Sequence, residues 1–355
     1  MTQQLPPTSD IRQFAPLLLA WYRPGARPMP WKGEKDPYRI WISEVILQQT
    51  RVEQGWPYYE RFIMRFPTVQ ALAEAHEDEV LKMWQGLGYY SRARNLHKGA
   101  RQVVEWYDGS IPADHGKILA VSGIGPYTAA AIASFAFGLP YAVVDGNVIR
   151  VLSRVFGAGI PWDTTAGKKY FQALADAVLD RDRPGVFNQA MMDFGATVCT
   201  PLQPVCPTCP FSHTCRARKE DAIYDYPVRD KKISRKERFL HYFIIHKDDK
   251  YLLFKRPEGD VYAGMYEFLL HESGSRLDTG DAERVLDQAG IRGRIVREKV
   301  FRPHILTHQR LITAFFLVEA EELPLISGAV TVDHSQLGKY AVPKYIQQII
   351  DLWLK

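Results

Sequence analysis

The chain has 355 residues, more than one hydrophobic core usually organises, and its 46% hydrophobic content is enough to fill two. Its 45 Lys and Arg against 40 Asp and Glu leave a formal charge of +5, a mild excess that permits a polyanionic partner without requiring one. The polar, Pro-containing start has no basic flank leading into an apolar stretch, which excludes a secretory signal and points to a cytoplasmic protein.

Helix-forming composition or helical periodicity marks residues 11–22, 38–50, 52–66, 78–83, 93–106, 128–137, 148–156 and 166–179. The first two thirds therefore read as all-α. Residues 121–144 carry no charge and are long enough to suggest a membrane span. Gly123, Gly125 and Pro126 break the start of that stretch, and Gly138 and Pro140 its end, so a buried core helix is expected instead. After Cys215 comes a basic run of Arg229, Lys231, Lys232, Arg235, Lys236 and Arg238, read as part of a linker over 222–237. Beyond it, β-rich runs at 239–246, 251–255, 294–301 and 311–318 alternate with helical signals at 282–289 and 343–354, which gives an α+β second domain. The expected layout is a helical region over 1–221, the linker, and a domain over 238–355, with no internal repeat or low-complexity segment.

Four places in the helical region carry chemistry. Glu44 has Ile40, Trp41, Leu47 and Gln48 as its helical neighbours, so a carboxyl is set on an apolar stripe. Burial there would raise its pKa toward the range of a general acid, although a Glu beside Ser43 or Asp36 can equally serve a helix start. In the run Leu119-Ala-Val-Ser-Gly-Ile-Gly-Pro-Tyr-Thr-Ala, Gly123 and Gly125 let the backbone approach a phosphate where a helix opens at Pro126. Gly-x-Gly alone is commonly a turn; an apolar helix before it and an Ala-rich helix after it favour DNA-backbone binding. Asp145 sits between an apolar run and a new helix, where capping N–H donors would hold the anion. One carboxyl pushed toward protonation and another held as the anion is the pairing that cleaves a glycosidic bond through a cationic sugar.

All four cysteines lie between 199 and 215, as Cys199-x6-Cys206-x2-Cys209-x5-Cys215, with Pro201, Pro204, Pro207 and Pro210 forcing tight loops between them. In a reducing compartment this is a ligand set, and four thiolates suit zinc and an iron–sulfur cluster alike.

Residues 41–52, the run Gln85-Gly-Leu-Gly-Tyr-Tyr-Ser-Arg-Ala-Arg-Asn-Leu-His, residues 123–129, residues 144–151, the run Phe187-Asn-Gln-Ala-Met-Met-Asp-Phe-Gly-Ala and the cysteine array occur in one order that resembles the adenine DNA glycosylases of the helix-hairpin-helix iron–sulfur superfamily. The likeness covers most of residues 11–216. It implies a helical glycosylase domain with the hairpin at about 118–137 and an iron–sulfur loop over 199–215 holding a [4Fe-4S] cluster on Cys199, Cys206, Cys209 and Cys215. It also implies a Nudix-like lesion-recognition domain.

By the same resemblance Glu44 protonates adenine and later handles water, and Asp145 stabilises or bonds to the sugar cation. Tyr127 and Asn147 support them, and Gln189 matches an adenine-pocket position. Gln48, Gln49, Thr50, Leu87, Tyr89, Gly123 and Gly125 are expected on DNA, with Gln49 and Tyr89 wedged into the base stack beside the oxidised guanine. The implied partner is double-stranded DNA with adenine opposite 8-oxoguanine. No membrane association is expected, and the chain should act as a monomer.

Endonuclease III-type relatives, the alternative, carry a Schiff-base lysine just before the position of Thr128; here Tyr127 stands there and cannot form an imine. Nucleotide hydrolysis by the second domain would need a Glu-dense helix to hold magnesium, and Ala282-Glu-Arg-Val-Leu-Asp-Gln-Ala-Gly has one Glu. The family's Phe-Ser-His lesion contact corresponds to Leu306-Thr307-His308, which keeps a hydroxyl and loses the aromatic ring. His304 and His308 can equally be ordinary loop histidines. Ser122 in place of Pro, and Lys32 within Pro30-Trp31-Lys32, are further departures.

Overall fold

The computed structural model describes residues 4–23, 27, 29, 32–230 and 234–354. Pro30, Trp31, Lys231, Lys232 and the first three residues, to which some expectations above refer, lie outside the described residues. The chain divides into two compact units, Met1–Glu74 with Lys98–Lys231, and Ala75–His97 with Lys232–Lys355, a partition that a single boundary along the sequence does not express.

The helical region runs α1 (Thr8–Trp21), α2 (Pro37–Leu47), α3 (Val52–Arg65), α4 (Val69–Glu74), α5 (Glu77–Trp84), α6 (Ser91–Tyr107), α7 (His115–Leu119), α8 (Pro126–Phe137), α9 (Gly146–Phe156), α10 (Thr165–Val178), α11 (Pro184–Thr197) and α12 (Arg216–Lys219). Local chemistry sets many of these ends. Asp36, Asp114, Asp145 and Thr164 each accept a backbone N–H at the starts of α2, α7, α9 and α10, and Gly138 and Gly157 close α8 and α9 in left-handed backbone. The helix expected over 38–50 stops at Leu47, because Gln49 turns to a φ of 58°. α11 was not among the expected helices: its start, Arg-Pro-Gly, reads as a turn, yet Pro184 takes the first helical position, where no N–H is needed. A ring cluster forms its core, Phe14 stacking on Phe211 at 4.6 Å and on Phe156 at 5.6 Å. Among the described residues no helix is long and apolar enough to cross a membrane; the uncharged stretch holds the 12-residue α8, whose residues from Thr128 to Ser134 are buried.

In the second unit, β1 (Lys236–Lys247), β2 (Lys250–Lys255), β3 (Tyr266–Glu267), β4 (Leu269–Ser273), β5 (Gly293–Val300), β6 (His304–Ile305), β7 (Gln309–Ala320) and β8 (Ala329–Asp333) make one mixed sheet, with α13 (Thr279–Gln288) and α14 (Lys344–Trp353). β1 and β7 pair in parallel, Phe243 opposite Phe316, at the centre. Leu240–Ile245 are buried without alternation, since α14 covers one face and α13 the other. Strands β3, β4, β6 and β8 were not anticipated; they are short or amphipathic and gain definition from pairing with β1, β2 and β7.

Candidate active site

Glu44 lies in the last turn of α2 and is 6% exposed. The helix start belongs to Asp36, whose carboxylate accepts the Tyr38 N–H at 2.8 Å, so the end-capping role left open for Glu44 is removed. A carboxyl near a helix C-terminus faces the negative end of the dipole, an arrangement with no benefit to the helix itself. Burial pushes its pKa up to about 7; the Tyr127 hydrogen bond opposes that rise and the charge of Asp145 adds to it. The Tyr127 hydroxyl, on the first turn of α8, donates to Glu44 Oε2 at 2.6 Å and lies 3.6 Å from Met192 Sδ.

Asp145 caps α9, its Oδ1 accepting the Val148 N–H at 2.8 Å while its Oδ2 accepts Asn147 Nδ2–H at 2.7 Å. Asn147 is held in turn, since Arg150 Nη2 donates to its Oδ1 at 2.8 Å and also to the Gly195 carbonyl, while Arg150 Nε donates to the Cys199 carbonyl at 2.8 Å. Gly195 is required for this packing: a Cβ there would stand 2.6 Å from the Asn147 Cβ. The segment before Asp145 is fastened by Asn188, fully buried, which accepts the Val143 N–H and donates to Ser134 Oγ and the Tyr141 carbonyl. The fold thus brings Glu44, Tyr127, Asp145 and Asn147 together from α2, α8 and the start of α9. Arg150, Asn188 and Gly195 support them; all three lie within the motif runs of the sequence, but none was singled out there, because Arg150 also ties to Gly195, Asn188 to Val143 and Gly195 packs on Asn147, contacts made 45 or more residues apart.

Glu44 and Gln189 line one cavity with about 1790 Å³ of empty space, with Arg27, Lys32, Ser43 and Pro184 also on its wall. A deep carboxyl that holds its proton near neutrality, opening on such a cavity, can protonate a leaving group, and a second carboxylate nearby can face developing positive charge.

The hairpin forms as α7, a turn and α8. Gly123 needs its φ of 80°, whereas Gly125 is extended with open space where a side chain would project, so its backbone is approachable. Gln48 Nε2 donates to Thr128 Oγ1 at 3.3 Å, Gln49 is left-handed, and the Thr50 N–H closes the turn on the Leu47 carbonyl.

The four cysteines line a single cavity with about 380 Å³ of empty space, and Phe211, inside their loop, packs into the aromatic core. Arg154 Nη1 lies 3.6 Å from Cys199 Sγ and donates to the Thr200 carbonyl. Burial pushes the Cys209 thiol up to about 12. Among the described residues no group of three or more His, Cys, Asp or Glu side chains is arranged to hold a metal ion.

In the second unit Leu87 is buried, whereas Tyr89 sits at a φ of 50°, half exposed, its hydroxyl 2.9 Å from Thr307 Oγ1. Leu306 packs into the core of this unit, so the missing aromatic ring is replaced by an inward-facing side chain. His304 pairs with the Tyr262 hydroxyl at 3.0 Å, whereas His308 is exposed.

Comparison with known proteins agrees with both halves. Residues 42–177 match the family model described as HhH-GPD superfamily base excision DNA repair protein, and residues 241–352 match a NUDIX domain. The chain is 35% identical to the adenine DNA glycosylase of Buchnera aphidicola from Acyrthosiphon pisum, over 72% of this chain and 73% of that one. It is 44% identical to the human adenine DNA glycosylase over 59% of this chain and 40% of that longer one. Among solved structures, a thermostable thymine-DNA glycosylase superposes with a TM-score of 0.55 at 29% identity, covering 60% of this chain and 98% of that one.

Proposed function

Since the chain belongs to the adenine DNA glycosylases, base excision repair enzymes of the helix-hairpin-helix superfamily, we propose that it removes adenine opposite 8-oxoguanine or guanine from double-stranded DNA without cutting the strand. The observation that carries this reading is the Tyr127–Glu44 hydrogen bond of 2.6 Å, at a carboxyl raised to about 7 and within the field of Asp145.

The adenine enters the cavity beside Gln189, and Glu44 gives its proton to a ring nitrogen of the base. The bond from sugar C1′ to the base then breaks, with its electron pair leaving on adenine. Asp145 stabilises the sugar cation or bonds to it, with Asn147 fixing its second oxygen. Water completes the reaction at C1′, and its proton returns to Glu44. Tyr127 has no amine, so no imine tethers the sugar and no lyase step follows. Gly123 and Gly125 bring the hairpin backbone to a phosphate, Gln48, Gln49 and Thr50 face the duplex, and Tyr89 and Thr307 read the oxidised guanine, whereas Leu87 is buried and serves packing instead of the DNA contact expected for it.

The four cysteines fit a [4Fe-4S] cluster. Soft sulfur donors meet at one cavity backed by an aromatic core. Cys199, Cys206, Cys209 and Cys215 would hold it, and when bound it ties the loop together through iron–thiolate bonds. Arg154 orders that loop through the Thr200 carbonyl. Purified protein is expected to be brown, with about four irons and four sulfides per chain. Stoichiometric zinc in a colourless sample would reverse the assignment.

The deciding assay is incubation with duplexes carrying adenine opposite 8-oxoguanine. Free adenine with strand breakage only after alkali is expected, and breakage without alkali would favour the endonuclease III-like reading. Thr307→Ala is expected to lower the preference for 8-oxoguanine over guanine opposite adenine about tenfold, the effect of one lost hydrogen bond to a polar lesion edge. An unchanged ratio would exclude Thr307 from lesion reading.

A further inference from the structure

Asp193 lies one helical turn beyond Gln189 on α11 and is 3% exposed. Its Oδ1 accepts from Gln189 Nε2 at 3.1 Å and Arg27 Nη1 at 3.2 Å, and its Oδ2 accepts from Lys32 Nζ at 2.8 Å. Lys32 also donates to the Arg27 carbonyl at 3.1 Å and lies 5.4 Å from the Tyr22 ring centre, which accounts for a lysine at a position the sequence singled out as unusual. Two cations fix the Asp193 carboxylate, and that carboxylate accepts hydrogen bonds without donating any. Only the NH₂ corner of the Gln189 amide can therefore face it. The amide carbonyl is turned away from Asp193, on a residue that lines the cavity with Glu44, and among the described residues no donor meets that oxygen.

We propose that Asp193 is a positioning residue that sets base specificity: by holding the Gln189 amide in one of its two orientations, it presents an acceptor to the base and selects 6-amino over 6-oxo purines. This rests on the cavity being the adenine pocket. Adenine offers an N–H donor at position 6 to that acceptor, whereas hypoxanthine offers a carbonyl and leaves two acceptors opposed. Lys32 and Arg27 act through Asp193 and keep its carboxylate from swinging.

The experiment measures single-turnover release of adenine and of hypoxanthine, each opposite 8-oxoguanine, by wild type, Asp193→Asn, Gln189→Leu and Gln189→Glu. Wild type that releases no adenine would overturn the functional reading itself. Given wild-type activity, Asp193→Asn and Gln189→Leu are expected to lower the adenine-to-hypoxanthine ratio about tenfold or more. Gln189→Glu, which presents an acceptor in either orientation, should keep the ratio, and adding Asp193→Asn to it should leave the ratio unchanged. If Asp193→Asn slows both bases by the same factor, Asp193 is merely structural and the proposal fails. It fails equally if Gln189→Glu loses the ratio as Gln189→Leu does, a comparison that leaves Asp193 intact and so stands even where Asp193→Asn does not fold.

Discussion

Glu44→Gln is expected to bind duplex DNA as tightly as the parent protein and to release adenine about 10²- to 10⁴-fold more slowly, the range for loss of a positioned general acid. The amide keeps the shape of the carboxyl and can still accept the Tyr127 hydrogen bond of 2.6 Å, so the helices should pack unchanged. pH provides a second readout. With its pKa at about 7, the folded-state carboxyl holds its proton below that value, and release by the parent should fall as pH rises through it. The unfolded chain loses the same proton near the ordinary value of 4.5. Between 4.5 and about 7 the folded state therefore binds more protons, and the contribution of Glu44 to stability declines as pH rises through that window and is level above it. Glu44→Gln should abolish both dependences. Normal turnover by the variant would remove Glu44 from the mechanism.

Asp145→Asn is expected to lower base release by about 10³-fold, because a neutral amide cannot offset the sugar's transient positive charge. Capping can be kept at this residue while the charge is removed, with loss of the second hydrogen bond, because the amide NH₂ cannot accept from Asn147 Nδ2–H. Asn is as good a helix cap as Asp, so the acceptor for the Val148 N–H survives, and unfolding should move only by the lost Asn147 hydrogen bond, about 1 to 3 kcal/mol. A large loss of stability with proportionate loss of rate would identify Asp145 as a structural cap alone. A variant that folds normally and turns over normally would end its role in the reaction.

The two families of signal in this sequence had different reach. Helix periods, the Gly123–Gly125 turn, the capping Asp145 and the clustered cysteines are local patterns, and they placed most helices within a few residues. The helix over 38–50 was drawn too long because its composition stays helical through Thr50, while the left-handed turn at Gln49 is imposed where the chain reverses into α3. α11 was missed for the opposite reason, its opening Pro-Gly reading as a break although Pro184 is well placed at a helix start. Strands such as β4 and β8 carry little pattern of their own, since their hydrogen bonds are made with neighbours distant in sequence.

By itself, the sequence determined which residues could carry the chemistry: two carboxyls, a tyrosine where an imine-forming lysine would have to be, and four thiols in one short loop. Only the tertiary structure decided the state of those groups. Whether Glu44 serves a helix end or a buried acid depended on Asp36 taking the cap and on α8 bringing Tyr127 to 2.6 Å. Whether Gln189 shows a cavity its oxygen or its nitrogen depended on Asp193, which Lys32 and Arg27 hold from more than 160 positions away. Proton affinity and amide orientation are set by desolvation and by nearby partners, and those are properties of packing that no window of sequence contains.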